Sequence, residues 1–261
     1  MLIDTHAHIF YKDYADSLDD VLKRAADAGV AAIICPGLDL ETSEQSLKLA
    51  DRYDQVWAAV GVHPHDAESA PDNTLQELER LAAHDKVVAI GETGLDFYRN
   101  ISPPEMQERL FRGQLELAAA LGYPAIVHNR SADEGVLRIL REVGYGNGVV
   151  HCFSSPPETA RQVLDLGFHI SFTGTVTFGK NHNEAVLRAV GLERVMVETD
   201  CPYLAPAPKR GRTNEPAYVS HVAAKIADIL KMDVTEVARQ TTENALALFS
   251  RMRLPNGSES P

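Results

Sequence analysis

Apolar residues in this chain come in short, nearly unbroken runs, separated by longer stretches with helical spacing. The runs occupy residues 2–4, 31–35, 56–62, 87–91, 124–127, 148–150, 169–172 and 194–198. Such runs read as parallel strands buried on both faces. The stretches 17–28, 42–53, 74–83, 104–121, 132–143, 158–166 and 183–190 between them read as amphipathic helices, with two more near 218–230 and 234–249. Thr42 and Thr74 are expected as helix N-caps, and Gly29, Gly122, Gly144 and Gly167 as residues that follow helix ends. Eight β/α units in 261 residues predict an α/β fold, a single-domain (β/α)8 TIM-type barrel over 1–254, with the small polar stretch 255–261 as a disordered tail. The active site of such a barrel lies where its strands end.

Those ends carry the chemistry. The first run leads into His6-Ala7-His8. Positions i and i+2 of an extended segment share a face, so both imidazoles reach one point beyond the strand. The third run leads to His63-Pro64-His65, the fourth to Glu92, the fifth to His128, the sixth to His151 and the eighth to Asp200. Four histidines and two carboxylates meeting at one mouth without a cation would form a costly polar cluster. A metal centre held by His6, His8, Glu92, His128, His151 and Asp200 is therefore expected. Six donors exceed what one tetrahedral ion uses, and two divalent ions roughly 3.5–4 Å apart fit better, with Glu92 as the bridge. Imidazole with carboxylate accepts zinc, manganese, magnesium or nickel.

Charge narrows the partners. With 25 basic and 37 acidic residues the net charge is −12, which opposes a broad grip on nucleic acid and leaves room for a small phosphate site. Lys209, Arg210 and Arg212 form a tight basic cluster, read either as a solvated loop or as a phosphate clamp. Arg130, Arg210 and Arg212 together would suit polynucleotide ends. Phe97 and Tyr98 either stack a terminal base or pack beneath a helix. Cys35, Cys152 and Cys201 are odd in number and far apart, which suits a reducing cytoplasm rather than a disulfide framework. No apolar run approaches the ~20 residues of a membrane span, and no signal peptide is evident. No membrane and no obligatory protein partner are expected.

The motifs His6-Ala7-His8, Gly61-Val62-His63-Pro64-His65, Gly91-Glu92-Thr93-Gly94-Leu95-Asp96, Val127-His128-Asn129-Arg130, Val150-His151-Cys152-Phe153, Glu198-Thr199-Asp200-Cys201-Pro202-Tyr203-Leu204 and Asn214-Glu215-Pro216 resemble, in order, those of the TatD family of metal-dependent deoxyribonucleases. The resemblance implies a (β/α)8 fold, one to three ions, and 3′-to-5′ exonuclease activity on DNA, with RNA handled by some members. Carried over, one ion would be held by His6, His8, Glu92 and Asp200, and the second by Glu92, His128 and His151. His63 would sit near the substrate phosphate. Two departures stand out: Thr213 where a second basic residue is common before Asn-Glu-Pro, and Ala247 where an Arg is usual.

The expected function is phosphodiester hydrolysis at DNA or RNA 3′ ends, by a two-metal mechanism in which hydroxide attacks phosphorus and Asp200 takes and returns the proton. A metal-dependent amide or ester hydrolase, for example one deacylating aminoacyl-tRNA, is the first alternative. A non-catalytic metal-binding scaffold is the second, opposed by donors unlike the Cys-rich closed sites of structural zinc.

Overall fold

The eight apolar runs form eight parallel strands that pair in sequence order. The computed structural model describes residues 1–179 and 181–254, so the expected tail at 255–261 lies outside the described residues. The strands are β1 (Leu2–Asp4), β2 (Val30–Pro36), β3 (Val56–Val60), β4 (Val87–Asp96), β5 (Ala125–Arg130), β6 (Gly148–Val150), β7 (His169–Phe172) and β8 (Val195–Val197). Helices α1 (Leu18–Asp27), α2 (Leu40–Arg52), α3 (Thr74–Ala82), α4 (Pro104–Leu121), α5 (Asp133–Val143), α6 (Pro157–Asp165) and α7 (Asn183–Val190) connect them, and α8 (Val219–Leu230) and α9 (Val234–Leu248) follow. The fold is a (β/α)8 TIM-type barrel. No described helix is long and apolar enough to cross a membrane.

The ring closes between its first and last strands. Thr5 N–H donates to the Val197 carbonyl at 3.2 Å, Asp200 N–H to His6 at 2.9 Å, and His8 N–H to Cys201 at 2.9 Å. Two apolar layers hold the ring. Alternate strand residues such as Ile33, Val60 and Val127 pack outward on helix residues such as Leu22, Leu78 and Phe111. Ile3, Ile34, Trp57, Ile126, Val149 and Met196 instead pack with one another and with Leu248, Phe249 and Met252. Residues from so many strands meet only across the barrel interior. The last turn of α9 closes the end where the strands begin, anchored by Asn244, whose amide donates to the Leu192 and Val195 carbonyls at 2.7 and 2.8 Å.

Several boundaries differ from those expected. β4 does not stop at Gly91; it runs to Asp96, because Gly91 and Gly94 lie against β5 where a side chain has no room. A Cβ on Gly94 would stand 2.0 Å from the His128 carbonyl oxygen. β5 likewise extends to Arg130, while β3 and β8 are shorter than their apolar runs. Thr42 is not the N-cap of α2. Asp39 is, accepting from Thr42 N–H at 2.7 Å, and the Thr42 hydroxyl returns the contact to the Asp39 N–H in a capping box. Thr74 is the first residue of α3, after Asn73. Gly122 and Gly144 do end α4 and α5, in the left-handed conformation.

Candidate metal centre at the strand ends

Glu92 lies at the centre of the mouth, buried within β4, and its two oxygens face different groups. Oε2 lies 3.1 Å from His6 Nε2 and 3.5 Å from His8 Nε2. Oε1 lies 2.8 Å from His151 Nε2, 2.9 Å from His128 Nδ1 and 3.5 Å from His63 Nε2. Asp200 joins the first group, with Oδ1 3.5 Å from His8 Nε2 and 3.8 Å from His6 Nε2. The rings of His6 and His151 stack across the two groups at 4.0 Å. The structure thus brings all six expected donors together, with His63 beside them.

Local backbone aims these groups. His6 and His8 sit on one face of the extended segment after β1, held by the seam with Cys201. Asp200 has φ 54°, an uncommon left-handed conformation for a residue with a side chain. Asn214 pins its loop, donating to the Thr199 carbonyl at 2.9 Å and the Tyr203 carbonyl at 2.5 Å. From α4, the buried Gln114 amide accepts from Val62 N–H at 2.8 Å and donates to the Val62 carbonyl and Thr93 hydroxyl at 2.9 and 2.7 Å. That one side chain braces the residues next to His63 and Glu92.

Hydrogen bonds behind the rings determine which nitrogens face inward bare. His8 Nδ1 lies 3.2 Å from the Pro36 carbonyl, which only accepts, so Nδ1 carries the proton. In the neutral ring Nε2 is then a lone pair aimed at a carboxylate oxygen and at His6 Nε2, 3.1 Å away. His151 has the same arrangement, with Glu198 Oε1 3.4 Å behind Nδ1, and so does His128, with Asp96 Oδ2 3.4 Å from Nε2. His63 is reversed. Its Nδ1 accepts from His65 N–H at 3.1 Å, so Nε2 carries the proton and points it inward. His63 is close enough to Glu92 and His128 to count as a ligand, but its proton makes it a donor instead.

Charges follow the same logic. Burial opposes ionisation of Glu92, but His151, His6 and His63 outweigh it and hold its pKa well below the usual range. Asp200 is also lowered: burial again opposes, and His8, His6 and His151 prevail. Burial and the nearby His151 keep His6 low, and burial keeps His63 well below a normal imidazole. Burial disfavours charge on His151 and His128 too, yet Glu92 with Glu198 in the first case, and Asp96 with Glu92 in the second, raises each. Burial lifts the thiols of Cys152 and Cys201 well above their ordinary value, so neither is a ready nucleophile.

Inward ring nitrogens of His8, His128 and His151 crowded within 3.5 Å of the Glu92 oxygens are what a cation resolves. Imidazole and carboxylate donors fit a divalent metal, and carboxylates behind the rings are the usual support for such ligands. The residues therefore fit a metal, in two groups that share Glu92.

The expected substrate residues lie around this centre. Arg130 ends β5 with its guanidinium over the Tyr98 ring at 4.3 Å. Arg210 lies over Phe178 at 5.0 Å, while Lys209 turns to Tyr218 at 5.0 Å, so the basic cluster divides. Arg212 is exposed beyond them. Sequence reasoning assigned no role to Glu198, Asp96 or Gln114. Asp96 shares strand parity with Glu92, a readable signal; the buried amide of Gln114 has none.

A family model described as TatD related DNase matches residues 3–250. A Bacillus subtilis protein, the uncharacterized metal-dependent hydrolase YabD, is 42% identical over 253 residues, which cover 95% of this chain and 99% of that one. The 3′-5′ ssDNA/RNA exonuclease TatD of Shigella flexneri is 38% identical, covering 95% and 98%. Among solved structures, the TatD homologue YjjV of Escherichia coli superposes with a TM-score of 0.91 at 31% identity, covering 95% and 98%.

Proposed function

We propose that this chain, which belongs to the TatD family of metal-dependent hydrolases, is a 3′-to-5′ exonuclease acting on ends of DNA and, by extension, RNA. The observation that carries the reading is the division of Glu92. One oxygen faces His6 and His8, with Asp200 alongside, and the other faces His128 and His151. We assign His6, His8, Glu92 and Asp200 to one divalent cation, and Glu92, His128 and His151 to a second; zinc, manganese, magnesium and nickel all suit these donors. Cations held there supply Lewis-acid polarisation of a phosphoryl group and make water acidic enough to attack near neutral pH.

The chain's own groups do the rest. Asp200, ionised at neutral pH, takes a proton at its carboxylate from the attacking water and returns it to the leaving 3′ oxygen. His63, neutral, donates a hydrogen bond from its Nε2–H to a phosphoryl oxygen. Arg130, Arg210 and Arg212 hold backbone phosphates around the rim, offsetting locally a chain of net charge −12. Residues 1–254 act as one catalytic unit. Cys35, Cys152 and Cys201 are unpaired, which supports a reducing, cytoplasmic setting.

The test is turnover of single-stranded DNA and RNA, labelled at either end, by protein reloaded with each metal, with small esters and aminoacyl-tRNA run in parallel. Shortening from the 3′ end is expected. Efficient acyl hydrolysis with nucleic acid ends left intact would overturn the reading.

A further inference from the structure

We infer that two aromatic platforms, Tyr98 with Arg130 and Tyr203 with Tyr11, hold the nucleobases on either side of the scissile phosphate. The inference rests on the nuclease reading above. Tyr98 is 67% exposed and Tyr203 55%, and no other described tyrosine, phenylalanine or tryptophan is comparably exposed. Both stand at the catalytic end of the barrel, where exposed rings have a use.

Each platform is built from two neighbouring strand ends. Tyr98 lies two residues past Asp96, at the end of β4, and Arg130 ends β5. The Phe97 N–H donates to the Arg130 carbonyl at 3.0 Å and fixes the two segments together. The guanidinium lies over the Tyr98 ring, and among the described residues it has no carboxylate partner, so its N–H groups are available to a phosphate. Tyr203 follows Asp200 by three residues, and its N–H donates to the Asp200 carbonyl at 3.1 Å. Its ring meets Tyr11 edge to face at 6.0 Å, and Tyr11 meets His8 at 5.9 Å. One platform therefore belongs to the His128 side of Glu92 and the other to the His8 and Asp200 side.

The strand order places the pairs opposite each other. In a ring of eight paired sequentially, β4 and β5 lie across from β8 and β1. A phosphate at the centre sends one nucleoside towards each pair. Every base has a flat π face, so the platforms are indifferent to sequence. They do require the two flanking bases to be splayed apart, which an unpaired end allows and a paired end resists.

The metal-loaded protein is mixed with cleavage-resistant single-stranded DNA carrying 2-aminopurine at the terminal or the penultimate 3′ position, and emission is followed. Stacking should quench both probes. Tyr98→Ala should release one and Tyr203→Ala the other. On cleavable DNA each should raise KM about tenfold, the range expected for one lost base stack, with kcat within about twofold. Tyr98→Phe and Tyr203→Phe should restore wild-type values, which a merely misfolded loop would not explain. An abasic nucleotide at the matching position should raise the wild-type KM as much as the Ala variant does, with no further loss in that variant. Alanine variants that keep wild-type KM and both quenched signals would overturn the platforms while leaving the nuclease intact. A wild-type protein that neither binds nor shortens any oligonucleotide would instead overturn the nuclease reading.

Discussion

Glu198 stands behind His151. Its Oε1 lies 3.4 Å from ring Nδ1 and accepts the Cys152 N–H at 2.7 Å, while Oε2 accepts the Thr5 hydroxyl at 3.3 Å. The carboxylate is buried and, among the described residues, pairs with no Lys or Arg, so its charge is directed at the imidazole. Glu198→Gln keeps the shape and removes that charge. Metal affinity should fall about 10–100-fold, read by competition with a chromophoric chelator, with the circular dichroism spectrum unchanged. Unaltered affinity would reduce Glu198 to a backbone brace.

Glu92 serves both donor groups, so its loss should be felt in both. Wild-type protein reloaded with zinc or manganese should approach two ions per chain by elemental analysis. Glu92→Gln should lower that content and cut turnover by a factor on the order of a thousand, with little change in far-ultraviolet signal. A firm ceiling of one ion in the wild type would sink the shared-carboxylate assignment.

Cation removal should also destabilise the fold, because ions that bind only the folded chain stabilise it by mass action. At a free concentration one hundred times Kd the effect is about 2.7 kcal/mol per site. Chelation should therefore lower Tm, and reloading should restore it. A Tm indifferent to chelator would argue against tight sites.

Arg210 lies over Phe178 and Arg212 is exposed, whereas Lys209 is turned to Tyr218. The double variant Arg210→Ala, Arg212→Ala should raise KM for single-stranded DNA more than it lowers kcat. It should flatten the dependence of log K on log salt by about 1.4, at ~0.7 per lost single-strand contact. Lys209→Ala alone should leave the salt slope in place. Equal slopes in the double variant and wild type would remove both arginines from the phosphate path.

Gln114→Leu fits the volume but strands the Val62 N–H and the Thr93 hydroxyl. At ~1–3 kcal/mol for each buried unpaired group, a loss of about 3 kcal/mol in denaturant unfolding is expected, and turnover should fall as His63 and Glu92 lose their brace. Stability within experimental error of wild type would show that water replaces the amide.

The strands are legible because segments buried on both faces leave no polar gaps, and each donor is legible because it ends such a run. What escapes is contact across strands. Gly91 and Gly94 read as a stop, yet they are the points where β4 and β5 approach too closely for a side chain, so the strand continues to Asp96. Asp96 and Glu198 appear in the motifs, but only the fold shows which imidazole each supports. The reversed proton of His63 is equally invisible, since it depends on a hydrogen bond from the backbone of His65. Gln107 and Gln114 read as polar positions of an amphipathic helix, although α4 turns both amides into the barrel's upper rim, where Gln107 accepts the Asp96 N–H at 2.9 Å.

The seam between β8 and β1 also sets a timetable for synthesis. His6 and His8 leave the ribosome long before Thr199, which donates to Asp4 at 2.8 Å and is made 195 positions after it. An unfinished chain thus holds two of its histidines without Asp200 or the strand that closes the ring. For a proposed nuclease born on a particle made largely of RNA, that delay is protective: the chemistry has no place to occur until translation has passed the last strand.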